Sequence, residues 1–290
     1  MPGLKRFFEQ WLTPPGVWQM LMIAKASLKL ALMSVDDKRL LADNKQLKDR
    51  HTGSRCFILG AGSSLKGQDL KKLEGEIVIS VSNTFVHPDF LRINPRYHVV
   101  PPLIVSHGEM YTQEKFITWL KSMEAATGDA EMFFHIGDRE MIERDGLFKD
   151  RIVHWVAYAW WNGDFDTPID LMRIPNIGSV SEVALTVALH LGFDKIYLIG
   201  VDHDWFNGVL VYFYDHTKEH ILRPDMNDLS TVDSEFQMRR HADIFKKYKY
   251  LYSLKMNIFN ANAKQSHYLD VFPKVEYDAL FVDTTTKRQV

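Results

Sequence analysis

The chain has 290 residues, of which 46% are hydrophobic and 25% are charged, a composition typical of a globular protein and not of a disordered one. The formal net charge of −2 argues against a generally basic surface of the kind that binds nucleic acid. The single cysteine, Cys56, can form no disulfide within the chain. We therefore expect a reducing compartment and a cytoplasmic protein.

Residues 1–50 are predicted to form an amphipathic helical extension without a secretory signal. Val17 to Met33 is apolar but contains Lys25 and Lys29, so it is too short and too charged for a transmembrane helix. A basic amphipathic helix can lie on an anionic surface, which makes residues 1–33 a candidate for peripheral contact with the inner face of a membrane. The alternative is that this helix packs on the main domain or on a second copy of the chain.

The main domain is predicted over residues 51–290, after a polar segment, residues 36–51, that we expect to be a linker or an exposed helix. Short apolar runs bounded by turn residues are typical of buried strands. These runs are Cys56–Leu59, Glu76–Val81, Tyr97–Val100, Leu103–Val105, Glu131–His135, Arg151–Val156, Lys195–Gly200, Val209–Tyr214 and Asn257–Asn260. Helical periodicity is found at Gln113–Ala126, Ser179–Leu191 and Ser234–Leu254, with one or two short turns in residues 65–73. The alternation predicts a single Rossmann-like α/β domain, with a mostly parallel sheet and helices on both faces.

The first candidate site is the loop after the first predicted strand. It reads Gly60, Ala61, Gly62, Ser63 and Ser64. In such a tight turn, backbone N–H groups can face outward and serine hydroxyls add donors, while glycines let a phosphate approach closely. The loop lacks the ending of a Walker motif and the third glycine of the dinucleotide fingerprint. We interpret it as a nucleotide-phosphate site, and the alternative is a plain β-to-α turn.

Two further segments are predicted to border this loop or another anion site. Asn83 follows the second predicted strand and could bond a ribose or a base, although a strand-terminating turn also explains it. Gly178 and Ser179 precede the long helix, where Ser179 is the predicted N-cap and forms a capping box with Glu182. The N-terminus of that helix could also meet an anion.

The segment that runs from Asp202 to Trp205 follows a buried strand at its carboxyl end, where α/β enzymes place their chemistry. The carboxylates of Asp202 and Asp204 and the imidazole of His203 suit a metal, a base or ribose contacts. The alternative is a polar loop with one capping aspartate. Further along, residues 212–241 are rich in side chains that transfer protons or bind anions.

Taken in order, these motifs resemble the bacterial lipooligosaccharide sialyltransferases and a broader family that includes an archaeal hydroxymethylpterin pyrophosphokinase. The similarity extends over about residues 55–265 and depends on the order and spacing of the motifs. The segments that match are Ile58–Leu65, Asn83, Ser179–Gly192, Ile196–Asp202 and Tyr212–Asp215. The family loop usually reads Asn-Gly-Pro-Ser, whereas this chain has Ala-Gly-Ser-Ser at residues 61–64.

The resemblance implies an inverting glycosyltransferase that needs no metal and no cofactor. It would move a sialic-acid-like sugar from a CMP-activated donor to a glycan acceptor in surface polysaccharide synthesis. Tyr212 would stabilise the departing phosphate and His241, the closest match in order, would deprotonate the acceptor, with His203 as a third candidate catalytic residue. The donor would contact Gly60, Ala61, Gly62, Ser63, Ser64, Asn83, Gly178, Ser179, Asp202 and Trp205.

Two other functions remain open at this stage. One is a pyrophosphokinase-like enzyme that uses ATP and Mg²⁺, with Asp202 and Asp204 as the metal ligands. The other is a non-catalytic module of a polysaccharide assembly complex that holds its partners through the N-terminal helix. The expected partners are a nucleotide sugar and a glycan acceptor, with no nucleic acid, and a homo-oligomer is compatible with the sequence.

Overall fold

The structure is a computed structural model that describes residues 15–103, 112–159, 170–172, 174–175, 178–203, 212–214, 234–255, 257–262 and 269–282. Its centre is a sheet of seven strands: β1 (Arg55–Leu59), β2 (Val78–Val81), β3 (Tyr97–Val99), β4 (Glu131–His135), β5 (Val153–Val156), β8 (Lys195–Ile199) and β9 (Ile258–Asn260). Two short strands, β6 (Tyr158–Ala159) and β7 (Ile174–Pro175), form a separate parallel pair. Every pairing in the large sheet is parallel, which confirms the predicted α/β class.

Seven α-helices are described: α1 (Pro15–Ala31), α2 (Val35–Asp43), α3 (Phe90–Ile93), α4 (Gln113–Ala126), α5 (Arg139–Arg144), α6 (Val180–His190) and α7 (Ser234–Leu254). Short 3₁₀ helices occupy Asn44–Leu47, Ser63–Gly67, Leu70–Leu73, Ser82–Val86, Ile136–Asp138 and Asp278–Phe281. The predicted bounds of α4 and α7 agree with the structure, and the short turns expected between β1 and β2 are the second and third 3₁₀ helices.

Alternate residues of the strands point to opposite faces of the sheet, and both faces are covered. On one face, Ile58 of β1 and Leu198 of β8 pack against buried side chains of α6 and α7. On the other face, Phe57 and Ile199 pack with Leu65, Leu70 and the C-terminal segment. Burial on both faces explains why the central strands read as short, continuously apolar runs.

The strand order is β5-β4-β3-β2-β1-β8-β9, so the chain reverses its direction of travel between β1 and β8. From β1 it moves outward through β2 to β5 and then returns to the other side of β1. The connections that leave β1 and β8 therefore begin side by side at this reversal point, at the carboxyl edge of the sheet. Open α/β sheets bind their ligands at such a reversal point.

The N-terminal helices differ in how they meet this domain. The segment predicted as a linker or exposed helix contains α2, whose Leu41 is buried in the core, and the following Leu47 is buried as well. The side-chain amide of Asn44 donates to the Trp155 carbonyl at 2.6 Å and fixes this segment beside β5. The predicted boundary near residue 50 therefore does not coincide with a break in packing, because the polar segment buries two apolar side chains, Leu41 and Leu47.

Among the side chains of α1 that the structure describes, Leu30 packs against the core, as does Met33 just after the helix. The described helices include none that is both long and apolar enough to cross a membrane. Of the predicted strand Val209–Tyr214, only residues 212–214 lie within the described ranges, and Tyr212 forms an isolated antiparallel bridge there. Of the predicted strand Leu103–Val105, only Leu103 is described, and it is not in a strand.

Candidate functional site

The loop Gly60–Ser64 leaves β1 at the carboxyl edge of the sheet and meets the chain that leaves β8. The N–H of Gly60 donates to the Ile199 carbonyl at 2.8 Å, and the N–H of Gly62 donates to the Gly200 carbonyl at 2.8 Å. A Cβ atom at Gly60 would overlap the Gly200 carbonyl, so only glycine allows the two backbones to approach this closely. The sequence predicted that the N–H groups of this loop face outward, whereas the structure turns these two toward the neighbouring loop.

Asp202 occupies the centre of this loop with its carboxylate. It accepts the backbone N–H of Ser64 at 2.9 Å and the Ser64 hydroxyl at 2.5 Å. Burial raises the pKa of Asp202, while the hydrogen bonds from Ser64 and Ser63 act in the opposite direction. Gly62 makes room for the carboxylate, because a Cβ there would lie 2.5 Å from Cγ of Asp202. The donors that the sequence assigned to a ligand phosphate thus hold an internal anion.

Residues 212–214 cover this loop from the outside. Tyr212 bridges to Gly62, and the N–H of Phe213 donates to the Ala61 carbonyl at 3.3 Å. The rings of Tyr212 and Tyr214 are stacked, with centroids 5.3 Å apart and an interplanar angle of 10°. The predicted catalytic tyrosine therefore lies against the predicted nucleotide loop, although about 150 residues separate them in the chain.

Asn83 connects the same segment to β2. Its amide nitrogen donates to the Tyr214 hydroxyl at 3.0 Å, and its amide oxygen accepts from the Trp119 indole N–H at 2.7 Å. Asn83 is buried behind these two side chains. In this arrangement it orients Tyr214, and it would reach a ligand directly only if Tyr214 moved.

A second group of polar side chains begins one residue after Asp202. His203 is buried and has a φ of +52°, an unusual backbone conformation for a residue other than glycine. Its Nε2 lies 2.8 Å from the Tyr248 hydroxyl and 3.4 Å from the Ser181 hydroxyl. The edge of its ring faces His241, with the two ring centroids 6.3 Å apart. The two histidines that the sequence singled out, 38 residues apart, are therefore neighbours.

The N-terminus of α6 adjoins these histidines. Ser179 is its N-cap, and the capping box with Glu182 that the sequence predicted is confirmed. Oε2 of Glu182 accepts the N–H groups of Gly178 and Ser179, each at 2.7 Å. Oε1 of the same carboxylate lies 3.8 Å from Nζ of Lys247, and both side chains are 1% exposed. The carboxylate of Glu182 thus accepts hydrogen bonds from these N–H groups, as the carboxylate of Asp202 accepts one from the N–H of Ser64.

The fold therefore joins most of the predicted site residues at the carboxyl edge of the sheet. The loop Gly60–Ser64, Asn83, Tyr212 and Asp202 meet through direct contacts, and the chain link from Asp202 to His203 connects them to His241, Gly178 and Ser179. The predicted residues Asp204 and Trp205 lie outside the described residues.

The sequence did not single out Ser181, Tyr248 or Lys247 as members of this group. One signal was available for Lys247, which lies three residues after Ile244 and four before Leu251 on a buried helix face. A lysine on an apolar face indicates a buried partner. Ser181 and Tyr248 carried no such signal, because they are 67 residues apart and only the packing of α6 on α7 brings them together.

The arrangement can orient hydroxyl groups and move a proton, but it offers little to a cation. Both oxygens of Asp202 are bonded to Ser64. Among the residues that the structure describes, no group of three or more histidine, cysteine, aspartate or glutamate side chains is placed to hold a metal ion. Asp204, the second metal ligand that the pyrophosphokinase alternative requires, lies outside the described residues.

The sequence was compared with models of known protein families and with curated proteins, and neither comparison gave a match.

Proposed function

We propose that this protein is an inverting glycosyltransferase that moves a sialic-acid-like sugar from a CMP-activated donor to a glycan acceptor in surface polysaccharide synthesis. One observation carries the proposal. Three separate segments that resemble sialyltransferase motifs, the loop Gly60–Ser64, Asn83 and Tyr212, meet at the reversal point of the strand order, at the carboxyl ends of β1 and β8. This position is where open α/β sheets bind their ligands.

The donor nucleotide would lie against the face formed by the loop and the stacked tyrosines. Since Ser64 is engaged by Asp202, we assign the leaving phosphate to the hydroxyls of Tyr212 and Tyr214. In the transfer, the acceptor oxygen bonds to the anomeric carbon while the bond from that carbon to the phosphate oxygen breaks. CMP leaves with the bonding electron pair, and tyrosine hydroxyls can stabilise the developing charge on the phosphate.

The acceptor hydroxyl must lose its proton as the new bond forms, and the histidine pair is the proposed base. His241 is the base that the resemblance implies, and His203 is its buried neighbour next to Asp202. Histidine suits this role because its ordinary pKa lies near neutral pH. With two adjacent imidazoles, the second ring can also accept the proton that the first removes from the acceptor.

The two alternative functions receive less support from the geometry. The pyrophosphokinase alternative, with ATP and Mg²⁺, needs Asp202 and Asp204 as metal ligands. Both oxygens of Asp202 already accept hydrogen bonds from Ser64, and Asp204 lies outside the described residues. The non-catalytic module would give no reason for a buried histidine pair beside the predicted nucleotide loop. We place the activity in the cytoplasm, at the inner face of the membrane, where the exposed apolar side of α1 would contact lipid.

The proposal is tested by thermal unfolding of the purified protein with a nucleotide panel, with and without Mg²⁺. A ligand that binds only the folded state raises the melting temperature. We expect a shift with CMP that does not need the metal and none with ATP. A shift only with ATP and Mg²⁺ would replace the proposal by the kinase alternative, and no shift with any nucleotide would favour the non-catalytic module.

A variant locates the binding site in the same assay. We expect Tyr212→Phe to weaken CMP binding about tenfold, because the loss of one hydrogen bond to a charged phosphate costs about 1.5 kcal/mol. The control is Tyr252→Phe, which alters a tyrosine of α7 that packs against Phe272. Equal CMP affinity of the two variants would contradict the placement of the phosphate.

A further inference from the structure

A continuous chain of hydroxyl groups joins the N-terminus of α6 to His203. The Ser179 and Ser181 hydroxyl oxygens are 2.7 Å apart, and the Ser181 oxygen is 2.9 Å from that of Tyr248. The Tyr248 oxygen is in turn 2.8 Å from Nε2 of His203. Ser179 is the N-cap of α6 and Ser181 lies in its first turn, whereas Tyr248 belongs to α7 and His203 to the loop after β8.

We propose that Tyr248 is a positioning residue for His203: its hydroxyl accepts the Nε2 proton, which fixes the tautomer of the neutral ring so that Nδ1 is its basic nitrogen. The proposal deepens the proposed function, because a proton transfer at this histidine matters only if the protein performs the transfer. The contact itself is a property of the folded chain, and it can be measured without any substrate.

The local surroundings show that His203 is held in place and does not merely fill space. A non-glycine residue with a positive φ persists only where its neighbours fix it, and the φ of His203 is +52°. Its ring is buried and meets the rings of Tyr248, His241 and Phe245. Among these neighbours, the Tyr248 hydroxyl is 2.8 Å from Nε2, so it is placed to set the tautomer.

The donor-to-acceptor direction of the hydrogen bonds in this series of hydroxyl groups follows from Ser179, the member farthest from His203. Ser179 is the N-cap of α6, and its oxygen accepts the backbone N–H of Ser181 at 3.3 Å. The positive end of the helix dipole favours electron density on this oxygen. Electron density collects on the Ser179 oxygen when Ser181 donates to Ser179, Tyr248 donates to Ser181, and His203 donates to Tyr248. Successive hydrogen bonds of this kind polarise one another in the same direction.

The charged groups nearby leave Tyr248 neutral. Burial and the carboxylate of Glu182 raise the pKa of Tyr248 well above its usual range, so it keeps its proton and can both accept and donate. Lys247 faces Glu182 from α7, and burial lowers the pKa of this lysine. On another side of His203 lies the imidazole of His241, and the carboxylate of the preceding residue, Asp202, is bonded to Ser64.

Titration of His203 by ¹⁵N NMR in the full-length protein tests this assignment. A donor at Nε2 keeps its hydrogen bond when the ring becomes protonated, and a hydrogen bond to the charged form favours that form. We therefore expect Tyr248→Phe to lower the pKa of His203 by about one unit. Ser181→Ala, which removes the acceptor for Tyr248, should lower it by less, and the neutral ring should carry its proton on Nε2.

If the hydrogen bond between Tyr248 and His203 has the opposite donor, the pKa of His203 shifts in the opposite direction. If Tyr248 donated to Nε2, the bond would exist only with the neutral ring, and Tyr248→Phe would raise the pKa of His203. A raised or unchanged value, or a proton on Nδ1 of the neutral ring, would overturn the proposal. Tyr252→Phe, one helical turn further along α7, is the matched control and should leave the titration unchanged. If CMP fails to bind but these shifts occur, the positioning role stands and the proposed function fails.

Discussion

At the scale of single residues, Asp202 connects the two halves of the site. Its carboxylate holds the loop after β1 through Ser64, and its peptide leads into His203. Among the described residues, hydrogen bonds from the uncharged groups of Ser64 and Ser63 stabilise this buried carboxylate, and no lysine or arginine lies within ion-pair distance of it. Such an arrangement is expensive unless every bond is made, which makes the residue sensitive to substitution.

We expect Asp202→Ala to lower the free energy of unfolding by about 2 kcal/mol, because it leaves the buried N–H and hydroxyl of Ser64 without an acceptor. Asp202→Asn should lower it by less than about 1 kcal/mol, since an amide oxygen can still accept the N–H. Urea unfolding at neutral pH measures both. Asp270→Ala, which removes an exposed carboxylate near Lys274, is the control and should change stability by less than about 0.5 kcal/mol.

The pH dependence of the same variants has a defined sign. Burial raises the pKa of Asp202 above its value in the unfolded chain, so on acidification the native state binds this proton first. The wild type should therefore gain stability relative to Asp202→Asn as the pH falls through the folded pKa. This gain should be complete below the unfolded value of about 3.9. A relative loss on acidification would show that hydrogen bonding, and not burial, dominates at Asp202.

At the scale of elements, a buried ion pair adds to the apolar contact between α6 and α7. Lys247 of α7 faces Glu182 of α6 at 3.8 Å, and Glu182 also caps the loop that contains Gly178 and Ser179. A pair of this kind contributes little net stability when intact, but the removal of one partner leaves a buried charge uncompensated. The helix that supplies Tyr248 and His241 is thus coupled to the helix that supplies Ser181.

We expect Lys247→Met to lower the free energy of unfolding by roughly 3 kcal/mol, because methionine fills a similar volume but leaves the carboxylate of Glu182 buried without this cation. Urea unfolding measures the loss. The control is Lys249→Met, two residues further along the same helix, where the side chain is exposed. Its effect should stay within about 0.5 kcal/mol. Equal effects of the two substitutions would mean that the pair does not form.

The accuracy of the sequence prediction for an element depends on how many apolar side chains the element buries. The predicted bounds of α4 agree with the structure, because Phe116, Trp119, Leu120 and Met123 recur at helical spacing. Helix α2 was not recognised as part of the domain, because it buries only Leu41. Within the site, the loop after β1 was located from its glycines and serines. Its occupation by Asp202 depends on the pairing of β1 with β8, which local sequence does not contain.

At the scale of the whole molecule, the strand order explains why the candidate site lies where it does. Segments that begin near residues 60, 83 and 200 are brought together because β2, β1 and β8 are adjacent in the sheet. Their carboxyl ends share one edge, so each loop contributes to the same candidate site. Helix α1 lies outside this arrangement and leaves one apolar side uncovered.

This uncovered side is defined by Val17, Met20, Leu21 and Leu28, with exposed fractions of 47%, 70%, 53% and 59%. Spacings of three, four and eleven residues place all four on one face of a helix. The stretch from residue 10 to residue 35 contains two lysines and no acidic residue, although the whole chain has a net charge of −2. This charge distribution favours an anionic lipid surface as the partner of α1.

We expect the full-length protein to sediment with vesicles that contain anionic phosphatidylglycerol and not with vesicles of neutral phosphatidylcholine alone. The double substitution Met20→Glu and Leu28→Glu should reduce binding at least tenfold, because it removes apolar area and places negative charge toward the anionic surface. The matched control is Leu91→Glu with Ile152→Glu, which adds the same charge at two exposed apolar residues of the main domain.

Equal loss of binding in both variants would mean that net charge, and not the apolar side of α1, determines the interaction. A wild-type chain that stays in solution but sediments as a dimer, with the dimer lost on substitution in α1, would assign this surface to a second copy of the chain instead.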